Sequence, residues 1–178
     1  KKFFVLNIMQ NYITLMSQEN LKSGRSMPCF DQTQGMLFPP LADADVHIWS
    51  ASLEMSRQKI DQLIALLAPD EKMRAERFYF DRDRNRFIAG RGLLRMFIGG
   101  YLGMGPSQIE FAYREAGKPV LKSGPQGKSL QFNLSHSNDL ALYIFSRNCE
   151  VGIDIEYIHS MPDTDDFAER FFSSRESE

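Results

Sequence analysis

The sequence is poor in cysteine and tryptophan. Cys29 and Cys149 are the two cysteines in 178 residues, they lie far apart, and Trp49 is the one tryptophan. Two distant cysteines without a CxxC pair provide neither a disulfide framework nor a zinc-binding pattern. We therefore interpret both as free thiols in a reducing compartment and expect a cytoplasmic protein.

Long apolar runs and an excess of one charge are also missing. No stretch approaches the roughly 18 apolar residues of a membrane span, so we predict no membrane association. Asn7 and Gln10 interrupt the apolar N-terminal run and no small-residue cleavage site follows, so we expect no secretion signal. A net charge of −2 provides no global attraction to nucleic acid.

What is present is the composition of an ordinary globular protein, 43% hydrophobic and 25% charged. Period-two and helical patterns indicate an α+β fold. We predict helices through Ile60, from Pro69 and from Asp83, the last ending at Gly103. We predict strands over residues 46–53, 109–113, 130–135, 140–145 and 151–158. Residues 1–45 form an extension that we expect to be poorly ordered, because 18–45 is rich in small and polar residues.

An internal echo suggests two related halves. The segment Ala75–Phe80 resembles Ala168–Ser173, and each follows a predicted strand. Six residues can match by chance, but a duplication would make residues 46–148 a first α+β half and 149–178 the start of a second, incomplete one. We then expect the sequence to be incomplete at its C-terminus.

Two carboxylates lie two residues apart in an apolar segment. Side chains at i and i+2 of a strand share a face, so Asp154 and Glu156 point one way and Ile153 and Ile155 the other. Two carboxylates on one face repel each other unless a cation lies between them, and Mg²⁺ prefers such oxygen ligands. The pattern therefore favours a magnesium site, with two solvated acids on an edge strand as the alternative.

A hydroxyl and an imidazole are adjacent at Ser135 and His136. Neighbouring strand residues point to opposite faces, so a direct hydroxyl–imidazole bond is not expected, and a Gly-x-Ser-x-Gly elbow is missing. Both side chains can donate to an anion. Anion binding and a histidine at the edge of the core are equally compatible with these residues.

Basic residues are concentrated between Glu71 and Arg95. Arginine binds phosphate oxygens with two parallel hydrogen bonds, so one or two phosphate contacts are expected. We expect most of them to lie on a solvated, salt-bridged helix face. A nucleic-acid-binding module that uses these helices is a further alternative, but no aromatic stacking platform accompanies them, which argues against a nucleic-acid partner. The eight are Lys72, Arg74, Arg77, Arg82, Arg84, Arg86, Arg91 and Arg95.

Taken in order, four short segments resemble the 4′-phosphopantetheinyl transferases, specifically the broad-specificity type that serves carrier proteins of peptide, polyketide and fatty-acid synthesis. An Arg-rich stretch from Pro69 to Arg95 precedes them, and the resemblance covers about Val46 to Ser174. The family fold is two pseudo-symmetric α+β halves with the site between them. The matching segments are Gly117-Lys118-Pro119, Phe132-Asn133-Leu134-Ser135-His136-Ser137, Gly152-Ile153-Asp154-Ile155-Glu156 and Arg170-Phe171-Phe172.

The resemblance implies an enzyme that transfers 4′-phosphopantetheine from coenzyme A to a serine of an apo acyl or peptidyl carrier protein, releasing 3′,5′-ADP. It implies that Asp154 and Glu156 hold Mg²⁺ and are the catalytic residues. It assigns Arg86 to the 3′-phosphate of coenzyme A. The other residues that it assigns to coenzyme A are Lys118, Pro119, Ser135 and His136, with Lys72 and Arg74 as helpers.

One departure from the family pattern bears on activity. The family carries a further Trp-x-x-Lys-Glu segment, whose glutamate is a metal ligand, and no such segment follows Phe172 in this sequence. The alternative is therefore a truncated, catalytically silent fragment that binds coenzyme A or a carrier protein. We expect a monomer in either case.

Overall fold

The computed structural model describes the side chains of residues 38–43, 45–114, 117–122, 130–147 and 149–157, and the backbone of residues 2–5 and 15–16. Eight strands and three α-helices are found in these ranges, which confirms the α+β class. The helices are α1 (Arg57–Ile64), α2 (Pro69–Ala75) and α3 (Asp81–Leu102), and a 3₁₀ turn follows at Pro106–Gln108. The strands are β1 (Lys2–Val5), β2 (Leu15–Met16), β3 (Val46–Ser52), β4 (Phe111–Tyr113), β5 (Pro119–Leu121), β6 (Leu130–Ser137), β7 (Leu140–Arg147) and β8 (Val151–Asp154).

A four-stranded antiparallel sheet in the order β2–β3–β7–β6 forms the centre of the fold. β3 and β7 are buried along almost their whole length, because both faces of the sheet are covered. Trp49 and Tyr143 are register partners and belong to the core on the helical face. Ile48 and Ile144 are also partners and pack on the opposite face with Ile153 of β8.

The 22-residue helix α3 is the main helical layer of the core. Its residues from Ile88 to Tyr101 are nearly all buried, as expected of a helix that is covered by a sheet on one side and by other helices on the other. Gly92 allows α1 to approach closely, because a Cβ at this position would lie 2.8 Å from the Leu63 side chain. Gly103 ends the helix in the left-handed region (φ 65°), as its position predicts.

Several strands differ from the sequence predictions. β8 ends at Asp154 and does not continue through residues 155–157, so Glu156 lies outside the regular strand. β6 and β7 each extend two residues beyond their predicted ends, and β5 is not among the predicted strands.

Two element starts and one segment also differ from the sequence predictions. α3 begins at Asp81 instead of Asp83. Both acids lie in its first turn, where their negative charge is stabilised by the positive end of the helix dipole. β4 begins at Phe111 instead of Ile109, which is buried directly after the 3₁₀ turn. Within residues 1–45, β1 pairs in parallel with β8 and β2 pairs with β3, neither of which the sequence patterns indicated.

Several predictions concern residues outside the described ranges. Ile158, the echo segment Ala168–Ser173 and the Arg170-Phe171-Phe172 motif all lie there. The division into two halves and the incomplete second half therefore stay predictions.

Candidate functional site

A hydrogen bond joins the two most distinctive sequence motifs. The Ser135 hydroxyl on β6 donates to Asp154 Oδ1 at the end of β8 over 2.7 Å, and the Ile155 N–H donates to the same hydroxyl over 3.2 Å. Ser137 accepts from the N–H of Tyr157 at 3.0 Å. Alternate residues of β6 thus fix the chain that carries the carboxylates.

The carboxylates at this edge are exposed while the isoleucines between them are buried. Ile153 and Ile155 pack against Ile144 and its neighbours, which leaves Asp154 and Glu156 on the solvent side. The alternation of exposed and buried residues continues past Asp154, although the regular strand ends there. A common face for Asp154 and Glu156 stays a prediction. In the described part of the chain, neither carboxylate forms an ion pair with Lys or Arg, and Ser135 is the one hydrogen-bond donor to either.

His136 lies on the face of β6 opposite Ser135. Ser135 is the register partner of Leu142, whose side chain packs on the face of the sheet that β8 covers. His136 is the partner of Ala141, whose side chain packs on the face that the helices cover. The prediction that the two side chains do not bond directly is confirmed. His136 is exposed, so it is not a core histidine.

Arg86 is held by carboxylates. Its Nε and Nη2 both donate to Oδ1 of Asp139, at 2.8 and 2.6 Å, and its Nη1 lies 3.5 Å from Oδ1 of Asp83. Asp139 lies in the tight turn between β6 and β7, next to Asn138, whose backbone has a positive φ of 51°. Arg86 thus attaches α3 to the turn that follows Ser137.

A groove of about 600 Å³ lies between α2 and the β4–β5 hairpin. We name it the α2 groove. Arg74 and Arg77 give it positive charge, and Arg74 also lies 5.4 Å above the ring of Phe87. Lys118 follows directly after a lining residue, and Pro119 begins β5. The lining residues are Asp70, Met73, Arg74, Arg77, Phe78, Tyr113 and Gly117.

The structure therefore places the predicted site residues in several parts of the fold. Ser135, Asp154 and Glu156 form the β8 edge, and Arg74 lies in the α2 groove, with Lys118 and Pro119 beside it. His136 and Arg86 lie in neither place. Lys72 is half-buried on α2 and does not line the groove.

Two features of the site were missed by the sequence analysis. Tyr113 lines the groove, although an aromatic residue in a strand carries no functional signal of its own. Glu71, Arg91 and Arg95 are buried together, although the sequence interpretation placed most of the basic residues on a solvated face. The available signal was the i, i+4 spacing of Arg91 and Arg95 on the apolar stripe of α3.

Comparison with known proteins places the chain in a family. Residues 49–147, more than half of the chain, match the model described as 4′-phosphopantetheinyl transferase, N-terminal. The chain belongs to the 4′-phosphopantetheinyl transferase family. The matched range contains α1–α3, the α2 groove and the Ser135-His136 motif.

Individual relatives agree with the family match. The 4′-phosphopantetheinyl transferase HetI of Nostoc sp. is 44% identical over 138 residues, which cover 78% of this chain and 58% of that protein. The 4′-phosphopantetheinyl transferase of Bacillus subtilis is 32% identical over 122 residues, covering 68% of this chain and 52% of that protein. The chain thus spans about half the length of the curated relatives that it matches. A holo-(acyl-carrier-protein) synthase from Bacillus anthracis, solved in complex with CoA (3′,5′-ADP), has a TM-score of 0.47 and 20% identity over 57% of this chain and 93% of that one, too weak a likeness to carry an argument.

Proposed function

We propose that this protein transfers the 4′-phosphopantetheine group of coenzyme A to a serine of an apo acyl or peptidyl carrier protein and releases 3′,5′-ADP. The observation that carries the proposal is the 2.7 Å hydrogen bond between Ser135 and Asp154. It joins a serine that the resemblance assigns to coenzyme A with a carboxylate that the resemblance assigns to Mg²⁺, in a chain that matches the family model.

The exposed carboxylates fit a divalent cation. Asp154 and Glu156 are both exposed, and Ser135 donates only to Oδ1 of Asp154, so oxygen lone pairs remain for a hard cation. Mg²⁺ commonly binds through one or two carboxylates together with substrate phosphates. When bound, it would supply charge neutralisation to the pyrophosphate of coenzyme A.

The remaining residues have binding and positioning roles in this proposal. Ser135 holds Asp154 in place and lies within reach of an anion at the same edge, and exposed His136 donates to the nucleotide from the other face. Lys118 and Pro119 contact the nucleotide beside the α2 groove, with Arg74 and Lys72 as helpers. Arg86 serves the 3′-phosphate, which would have to share its guanidinium with Asp139.

Intact-mass measurement tests the transfer directly. The full-length protein, incubated with coenzyme A, Mg²⁺ and an apo carrier protein, should add one phosphopantetheine group to a carrier serine. The same mixture without Mg²⁺, or with a carrier whose acceptor serine is replaced by alanine, is the control. No addition with several competent carriers would refute the proposal.

The second candidate is a catalytically silent chain that binds coenzyme A or a carrier protein. It is favoured by one observation: among the described residues, no third His, Cys, Asp or Glu side chain joins Asp154 and Glu156, whereas the family resemblance implies a further glutamate ligand. It predicts calorimetric binding of coenzyme A by the 178 residues without any mass addition to a carrier. Transfer by these residues alone would eliminate it.

We also propose that the protein is a cytoplasmic monomer. Exposed Cys149 is a free thiol in the part of the chain that the structure describes, which suits a reducing compartment. No helix in the described ranges is long and apolar enough to cross a membrane. Cell fractionation and sedimentation analysis test the location and the oligomeric state.

A further inference from the structure

Three charged side chains are buried beside the α2 groove. Glu71 and Arg95 are each 1% exposed, and Arg91 is 5% exposed. Glu71 Oε2 accepts from Arg95 Nε at 2.7 Å, and Arg95 Nη1 also donates to the carbonyl oxygens of Pro106 and Ile109. Because Glu71 is paired with Arg95 in this way, the cluster carries one positive charge in excess.

Arg91 has the weaker contact with Glu71. Its Nε forms an ion pair with Glu71 Oε1 at 3.6 Å, which is longer than a hydrogen bond, and its buried Nη1 has no hydrogen-bond partner in the described part of the chain. Its Nη2 donates to the hydroxyl of Tyr113 at 3.0 Å, and its guanidinium lies 5.4 Å from the ring centre of Phe111. Burial lowers the pKa of Arg91, but an arginine stays charged at neutral pH.

The contact with Arg91 determines what the Tyr113 hydroxyl can do. A phenolic oxygen that accepts one hydrogen bond keeps its own O–H to donate elsewhere. Burial raises the pKa of Tyr113, so the hydroxyl keeps its proton. Accepting a bond from a charged donor also polarises the O–H and strengthens its donation. Tyr113 is 41% exposed and lines the α2 groove, so this donor is accessible to a ligand there.

We propose that Tyr113 is a ligand-contacting residue of the α2 groove, that its hydroxyl donates to a phosphate oxygen, and that Arg91 is the residue that positions it. The inference rests on the proposed function only for the identity of the phosphate ester, the nucleotide end of coenzyme A. The charges around the groove favour an anion independently of the proposed function. Two arginines, Arg74 and Arg77, and one acid, Asp70, line the groove. The charged Arg91 is buried directly beneath Tyr113, to which it donates a hydrogen bond.

The test is an NMR titration of the 178-residue chain with 3′,5′-ADP, inorganic phosphate and adenosine as separate probes. Tyr113→Phe removes one hydroxyl from a partly exposed side chain. Tyr79→Phe is the matched control, because Tyr79 is 92% exposed and does not line the groove. We expect Tyr113→Phe to weaken 3′,5′-ADP binding about tenfold, as for the loss of a hydrogen bond to a charged group, and Tyr79→Phe to leave it unchanged.

The probes distinguish the sources of the phosphate. Tighter binding of 3′,5′-ADP than of inorganic phosphate, with adenosine weakest, supports a nucleotide phosphate, and equal binding of the two anions supports a free phosphate. Adenosine binding as tight as that of 3′,5′-ADP would overturn the phosphate contact. Equal affinities of Tyr113→Phe and the parent, or no binding by the parent, would overturn the inference. Transfer plays no part in this readout, so the proposed function stands or fails separately in the mass assay.

Arg91→Lys tests the positioning role. Lysine keeps the charge but lacks the planar fork that reaches the Tyr113 hydroxyl. We expect it to weaken 3′,5′-ADP binding as much as Tyr113→Phe does, with no further loss in the double variant. If Arg91 had only a structural role, Arg91→Lys would lower the denaturation midpoint of the single and the double variant. The folded single variant would then bind 3′,5′-ADP as tightly as the parent, and the folded double variant as tightly as Tyr113→Phe.

Discussion

Two carboxylates, Glu71 beside the α2 groove and Asp154 at the β8 edge, have opposite environments. Glu71 is 1% exposed and accepts hydrogen bonds from Arg95 and from the N–H of Ala68. Asp154 is exposed and receives one bond, from the neutral hydroxyl of Ser135. A buried carboxylate stays ionised only when it is paired with a cation and hydrogen-bonded, so the oxygens of Glu71 serve the packing of the core and not a ligand. An exposed carboxylate with free lone pairs is the one that a cation can use.

The largest expected effect comes from breaking the buried pair. Glu71→Ala would leave Arg95 and Arg91 buried without a carboxylate, which typically costs about 3–5 kcal/mol. Urea denaturation should show this loss of unfolding free energy. Asp154→Ala serves as the comparison and should change it by less than about 0.5 kcal/mol, because the residue is exposed. Equal losses of unfolding free energy for the two variants would show that the buried and the exposed carboxylate contribute equally to stability.

The second prediction concerns activity. Asp154→Ala should lower transfer at least about a hundredfold without unfolding the protein, because a proposed metal ligand is lost. His136→Ala should instead weaken coenzyme A binding more than metal binding. Asp61→Ala, a change of an exposed acid on α1, is the control. Parent-level activity of Asp154→Ala would contradict the metal assignment.

The ion pair of Arg86 and Asp139 is intermediate in burial between Glu71 and Asp154. The Arg86 side chain is 18% exposed and that of Asp139 is 48% exposed. Asp139→Asn should lower stability by about 1 kcal/mol or less, because half of the pair is solvated. If Arg86 serves a phosphate, the same change should tighten 3′,5′-ADP binding by removing the competing carboxylate. Calorimetry on the parent and the variant checks both effects. Weaker binding by Asp139→Asn would show that the pair positions Arg86 for its ligand.

Much of the fold from β3 to β8 could be predicted because its signals are local. Alternation predicted β3, β6 and β7, and Pro69 and Gly103 marked helix ends correctly. The same alternation predicted that Ile153 and Ile155 would be buried. These features depend on neighbours within a few residues.

The pairings that define the site could not be predicted in the same way. Arg86 and Asp139 are 53 residues apart, and Glu71 and Arg95 are 24 apart. Helical spacing places Arg95 on the apolar stripe of α3, whereas Arg82 is exposed near the start of that helix. The spacing does not indicate that Glu71 of α2 and the carbonyl oxygen of Pro106 accept hydrogen bonds from Arg95. The pairing of β1 with β8 likewise joins segments almost 150 residues apart.

We propose that the exposed carboxylates at the end of β8, and not the buried Glu71, bind a divalent cation. Paramagnetic broadening of amide NMR signals by Mn²⁺, used as a probe for Mg²⁺, would locate that cation. We expect selective broadening around Asp154, Glu156 and Ser135, reversed by excess Mg²⁺ and lost in Asp154→Ala. Broadening centred elsewhere, or unchanged in that variant, would contradict it.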